Sequence, residues 1–179
     1  MKREQIPFER FSMEVYSVWA DRWLLLTCGD YASGQYNAMT IGWGSIGRMW
    51  QKPFVHVVVR PSRYTFEFMN QYDTFTLCVF PPQYQKALQL LGSESGRDSN
   101  KIARSGLTPI ASRLVAAPSF DEAELIIECR KIYWQDFDPT HFLDPKTEAL
   151  YPSGDYHRAY FGEIMAIFAA DARYAGKSK

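Results

Sequence analysis

Cysteine, histidine and net charge are all scarce in this chain, and each shortage excludes something. Cys28, Cys78 and Cys129 stand far apart, form no CxxC pair and match no zinc-type spacing. Neither a disulfide framework nor a cysteine-based structural metal is therefore expected. Each thiol lies in an apolar stretch, as buried reduced cysteines do, and a cytoplasmic setting follows. No apolar run approaches the roughly 20 residues of a membrane span. Met1-Lys2-Arg3-Glu4-Gln5 leads into no apolar segment of the kind a secretory leader carries. With 20 basic and 20 acidic residues, the chain has no generic grip on a phosphate backbone, so neither nucleic acid nor membrane is an expected partner. Repeats, low-complexity tracts and linkers are missing too.

What remains is a chain of 179 residues with 46% apolar content, enough for one domain, residues 1–179, around a single core. Aromatic residues reach 16%, a surplus that suits a β-rich core, flat ring-binding walls or an oligomer interface. Strands are expected at Arg22–Cys28, Asn37–Trp43, Phe54–Val59, Thr74–Phe80, Ala123–Trp134 and Tyr160–Phe168, from β-branched and aromatic runs bounded by Gly and Pro. Met165–Ala172 has some helical character as well. Short helices are expected at Arg63–Gln71 with Ser62 as N-cap, at Tyr84–Leu91 ended by Gly92, and at Asn100–Ser105 ended by Gly106. Strands without regular βα alternation predict a mainly β fold, an antiparallel barrel with helical insertions.

Gly42-Trp43-Gly44-Ser45-Ile46-Gly47 matches the letters of GxGxxG but not its physics. The dinucleotide fingerprint needs a helix opening within it and an acidic residue about 20 positions on. Here Pro53 and another strand follow at once, and position 62 is serine. These glycines more simply let the backbone bend or approach a flat ligand closely.

The chemistry concentrates between Asn37 and Thr65. Asn37-Ala38-Met39-Thr40-Ile41-Gly42-Trp43 sets an amide, a hydroxyl and an indole on one strand. Arg60-Pro61-Ser62-Arg63-Tyr64-Thr65 follows at a strand-to-helix junction, where guanidiniums, hydroxyls and unpaired helix N–H groups suit a phosphate. By itself the second segment reads equally as a capped helix with solvated arginines. Beside the first, it suits a ligand that is anionic at one end and planar at the other, the shape of FMN.

At these residues the sequence resembles the flavin reductase-like family of FMN-binding split barrels, and within it the flavoredoxin-like branch. The resembling stretches are NAMTIGWGSIG (37–47), KPFVHVVVRPSRYT (52–65), LLGSESGRDSNKIARSGLT (90–108) and YFGEI (160–164). The resemblance implies a split β-barrel of Greek-key type, a homodimer, and FMN near the subunit boundary. It places Asn37, Met39, Thr40, Ile41 and Trp43 against the isoalloxazine, with Ser45 nearby. Arg60, Ser62 and Thr65 then face the phosphate, with Tyr64 and Arg63 beside them, and Lys101 is brought back to the cofactor.

Among the histidines, His56 reads as a satisfied barrel residue. His141 either closes over the flavin or pairs with Asp144. His157 precedes YFGEI, where many flavin reductases carry a histidine close to the nicotinamide; His141 and His157 are thus the catalytic candidates. Tyr174, near the C-terminus, is a candidate to lean over the ring. Glu124, Glu128 and Glu163 read as a solvated, charge-paired strand face.

The expected function is that of an FMN-binding oxidoreductase of the flavin reductase type. Hydride from NAD(P)H would reach bound FMN and electrons would leave to free flavin, oxygen or a redox partner protein. The alternative is a flavoredoxin-like electron-transfer protein with little NAD(P)H activity. A split barrel that has lost flavin and serves as an interaction module is a third reading.

Overall fold

A computed structural model describes residues 1–176 of the chain. Ten strands and five short helices follow in this order: β1 (Glu4–Gln5), α1 (Val15–Ser17), β2 (Leu24–Asp30), β3 (Gln35–Ile41), β4 (Gly44–Met49), β5 (Lys52–Val59), α2 (Thr65–Gln71), β6 (Thr74–Val79), α3 (Gln85–Ser93), α4 (Lys101–Ser105), β7 (Pro109–Ile110), β8 (Ser119–Phe120), β9 (Leu125–Asp136), α5 (Pro145–Glu148) and β10 (Arg158–Ala169). The ambiguous Met165–Ala172 stretch resolves as the end of β10.

The main sheet runs β3-β2-β6-β9-β10-β5-β4, all antiparallel, with β1 added to β10. Its two edge strands, β3 and β4, are separated in sequence only by Gly42 and Trp43. The sheet must therefore curl until its edges meet, yet it leaves them unpaired, so the barrel is split at Gly42-Trp43. β6, β9 and β10 lie side by side while β5, which precedes them, returns beside β10, a Greek-key arrangement.

The refused GxGxxG lies mostly in β4, which forms a tight hairpin with β5 through Trp50 and Gln51, both at positive φ. Gly44 serves packing: a Cβ there would fall 2.4 Å from the His56 carbonyl oxygen and 2.5 Å from the Trp19 ring.

β2 explains how the core is built. Leu24, Leu26 and Cys28 face the barrel interior with Met39, Val57, Phe75, Ile127 and Tyr160. Leu25 faces a second apolar layer with Ala38, Leu88, Leu91, Phe120 and Phe168. With both faces covered the strand reads as one apolar run, and each such Leu contributes roughly 1.5–3 kcal/mol by burial. The three thiols are unpaired and buried, and burial pushes Cys28 and Cys78 up to about 12.

Three expectations change. α2 begins at Thr65 rather than Arg63, and Ser62 caps nothing; its hydroxyl donates to Asp155 at 3.0 Å. Gly92 lies inside α3, where the missing Cβ admits Thr40 at 3.2 Å. Glu124 and Glu128 are not solvated, being 6% and 1% exposed. The outer face of β9 is covered by the 111–119 segment, and Glu128 accepts the backbone N–H groups of Arg113 (2.8 Å) and Leu114 (2.7 Å). Glu124 accepts from Arg22, Arg173 and Tyr174. Glu163 is ion-paired as expected, with Lys52 at 2.7 Å and Arg130 at 2.8 Å.

Candidate functional site

Edge strand β3 and the turn into α2 form one side of the site, and their link is a buried hydrogen bond. Asn37 Nδ2 donates to Thr65 Oγ1 at 2.7 Å. Over this link passes the 93–98 loop, where Gly96 comes so close to Asn37 Oδ1 that a Cβ would sit 2.3 Å away.

Two small cavities lie beside this junction and share Met39 and Arg63. One, about 270 Å³, is bounded by Met39–Trp43, Val58, Arg60, Arg63 and His157. The other, about 80 Å³, is bounded by Met39, Ser62–Thr65, Ser93–Ser95 and Lys101. The first has the apolar and aromatic wall, the second the hydroxyls and cations.

Charge at the smaller cavity is unbalanced. Lys101 is 3% exposed, and its ammonium donates to the carbonyls of Leu91 (2.8 Å) and Glu94 (3.0 Å). Burial, and then the nearby Arg63, pull its pKa down to about 8. Arg63 donates to the Gly92 carbonyl and is itself lowered by burial and by Arg60. A buried ammonium and a half-buried guanidinium, hydrogen-bonded to carbonyls while the nearby Glu94 carboxylate is paired with Arg104, suit an anion between them, the chemistry that a phosphate supplies.

Arg60 and Ser62, expected to face a phosphate, border the larger and the smaller cavity respectively, and both also reach Asp155. Arg60 Nη1 pairs with Asp155 at 2.6 Å, Nη2 donates to the Leu150 carbonyl at 3.0 Å, and the guanidinium stacks over Tyr151. Asp155 thus holds both residues, and Ser62 lines the small cavity together with Arg63 and Lys101. Thr40 donates its hydroxyl to the Leu88 carbonyl at 2.5 Å, so that proton is committed to α3. Met39 and Ile41 belong to the barrel core and also border the larger cavity. Trp43 is half exposed at its mouth, and Tyr64 borders the smaller cavity with its ring under Arg97. Ser45 lies in β4 opposite His56, off both linings.

The histidines separate. His157 is buried in the larger cavity's wall, 5.3 Å from the Trp43 ring centre, with Nδ1 2.8 Å from the Tyr151 hydroxyl. Burial, then Arg60, pull it down to about 4. His141 is exposed beside Asp138, 3.8 Å away, and not beside Asp144, whose carboxylate caps α5. It borders a different hollow, about 350 Å³, with His56 and Phe161. Tyr174 is also elsewhere: it is buried against Glu124 and Arg22 at a different part of the core. Tyr151 and Asp155 escaped sequence reading; the only signal was an acid two residues before His157.

Comparison with known proteins agrees with this geometry. A family model described as flavin reductase like domain matches residues 15–173. An uncharacterized protein of Archaeoglobus fulgidus is 26% identical over 141 residues, covering 79% of this chain and 70% of its own. The flavoredoxin of Desulfovibrio vulgaris (Miyazaki F) superposes with a TM-score of 0.65 at 24% identity, over 84% of this chain and 70% of its own. An FMN-binding domain of a flavin reductases-like enzyme from Shewanella baltica gives 0.67 at 18% identity, over 94% and 77%. With the family model spanning most of the chain and a barrel split where β3 meets β4, this protein belongs to the flavin reductase-like family.

Proposed function

We propose that the chain binds FMN across the two cavities and works as an NAD(P)H-dependent flavin reductase. The observation that carries this is the pair of cations, half-buried Arg63 and buried Lys101, at one end of a trough whose other end is walled by Met39, Ile41 and Trp43. Bound FMN would accept hydride from NAD(P)H and release electrons to free flavin, oxygen or a protein acceptor. Arg63 and Lys101 would hold its phosphate with the hydroxyl of Ser95, while Thr65 is kept in place by Asn37. Trp43 and His157 would exclude water from the ring. Hydroxyl donation from Thr40 is already spent on Leu88, so tuning of the ring falls to backbone N–H groups on the free edge of β3.

The electron-carrier alternative uses the same flavin site without the nicotinamide step. A homodimer fits the aromatic face formed by Trp50, Tyr133 and Phe161, with Trp134 nearby; the three tryptophan and tyrosine rings are about half exposed. A cytoplasmic site fits three reduced thiols, and among the described residues no helix is long and apolar enough to cross a membrane.

An absorption spectrum of purified protein, before and after NADH or NADPH is added without oxygen, tests the reading. Flavin bands that bleach promptly support the reductase. Bands that bleach only with a chemical reductant support the electron carrier, and failure to take up FMN rejects both.

A further inference from the structure

His157 reaches the larger cavity through a ring whose orientation and protonation another residue controls. Its Nδ1 lies 2.8 Å from the Tyr151 hydroxyl in a buried contact. The two rings meet edge to face, with centroids 5.4 Å apart. Tyr151 is only 6% exposed, and it is wedged between Arg60, whose guanidinium lies 4.7 Å above its ring, and Tyr156, stacked at 4.9 Å. The position of Arg60 is in turn fixed by Asp155.

The donor of this contact follows from the partners available to the two groups. Among the described residues, the Tyr151 hydroxyl has His157 Nδ1 as its sole partner. If the imidazole donated from Nδ1, the phenolic proton would be buried without an acceptor, a loss of roughly 1–3 kcal/mol. If Tyr151 donates, every proton at the contact is used. The cation over its ring also makes the phenol a better donor and a poorer acceptor. Nε2 makes no hydrogen bond within the described chain, and it is not among the buried polar atoms that lack a partner, so it opens toward the cavity that His157 lines.

We infer that Tyr151 is a positioning residue: it donates to His157 Nδ1, fixes the neutral Nε2–H tautomer and so presents a hydrogen-bond donor to the cavity walled by Met39–Trp43. The group this donor fits is a carbonyl oxygen, such as a carboxamide laid beside a planar ring. The role for substrate rests on the reductase reading above; the tautomer does not. His157 then acts by donating a hydrogen bond and not as a general base.

Nitrogen NMR of the cofactor-free protein at pH 7 tests the tautomer directly. A protonated Nε2 with an unprotonated Nδ1 is expected in the wild type; the reverse assignment overturns the inference. Tyr151→Phe keeps the stacked ring and removes only the hydroxyl, so His157 should shift to a mixture of tautomers. An unchanged His157 signal in that variant would also overturn it. In turnover assays, Tyr151→Phe should raise KM for the nicotinamide several-fold, while kcat and FMN affinity stay near wild type. A fall in kcat at unchanged KM would remove the donor role. If the wild type shows no NAD(P)H-dependent bleaching, the reductase reading fails while the nitrogen spectrum still judges the tautomer.

Discussion

Asn37 and Thr65, 28 positions apart, share a buried 2.7 Å hydrogen bond that ties edge strand β3 to the first turn of α2. It joins the two segments that carry most of the candidate site. Removing one partner strands the other in the interior, which costs about 1–3 kcal/mol. Asn37→Ala and Thr65→Val should each lower stability by that amount in urea unfolding. The double variant should fall well short of the sum, since both changes remove the same bond.

Lys101→Met should separate phosphate recognition from ring recognition. Losing one charged donor weakens FMN by about 10- to 100-fold, the equivalent of roughly 1.5–3 kcal/mol. Riboflavin, which lacks the phosphate, should bind both proteins equally in a fluorescence titration. Equal weakening of both ligands would place the phosphate elsewhere.

Proton linkage at Lys101 has a definite sign. Its pKa falls from an ordinary 10.5 to about 8 in the fold. Between those values the unfolded chain holds the proton that the folded chain has released, so stability rises with pH from about 8 to 10.5. FMN affinity should move the opposite way, weakening above pH 8 as the ammonium is lost. Lys101→Met should flatten both slopes.

Acid has its effect through His157, which is held down to about 4 from an ordinary 6.5. From pH 6.5 to 4 the unfolded chain takes up a proton that the folded chain refuses, so stability falls as pH falls across that window. His157→Gln should reduce that slope in unfolding curves recorded at successive pH values.

Glu128→Gln tests the covered face of β9. The carboxylate accepts two backbone N–H groups at 2.7 and 2.8 Å, and an amide there turns one acceptor into a donor facing a donor. A loss of about 1–3 kcal/mol is expected in thermal or chemical unfolding. Turnover per folded molecule should be unaffected, because this residue lies away from both cavities.

Much of the fold was legible locally. Apolar and β-branched runs between Gly and Pro marked every long strand of the sheet except β4, whose glycine-rich Gly44–Met49 looks like a loop until it pairs with β5. Asn100 and Gly106 marked both ends of α4, since one caps through its side chain and the other takes the left-handed conformation. The polar groups between Asn37 and Thr65 likewise announced a site. Which of those groups remain available there was decided by distance in space. Asp155 claims Arg60 and Ser62 from more than 90 residues away, Leu88 takes the Thr40 proton, and a loop rather than water covers Glu128. Sequence by itself determined which segments extend and which chemistry they carry, because those follow from local sterics and side-chain type. Only the tertiary structure decided partners and burial, because a charge or hydroxyl is committed by whatever distant group the curled sheet brings within hydrogen-bond reach.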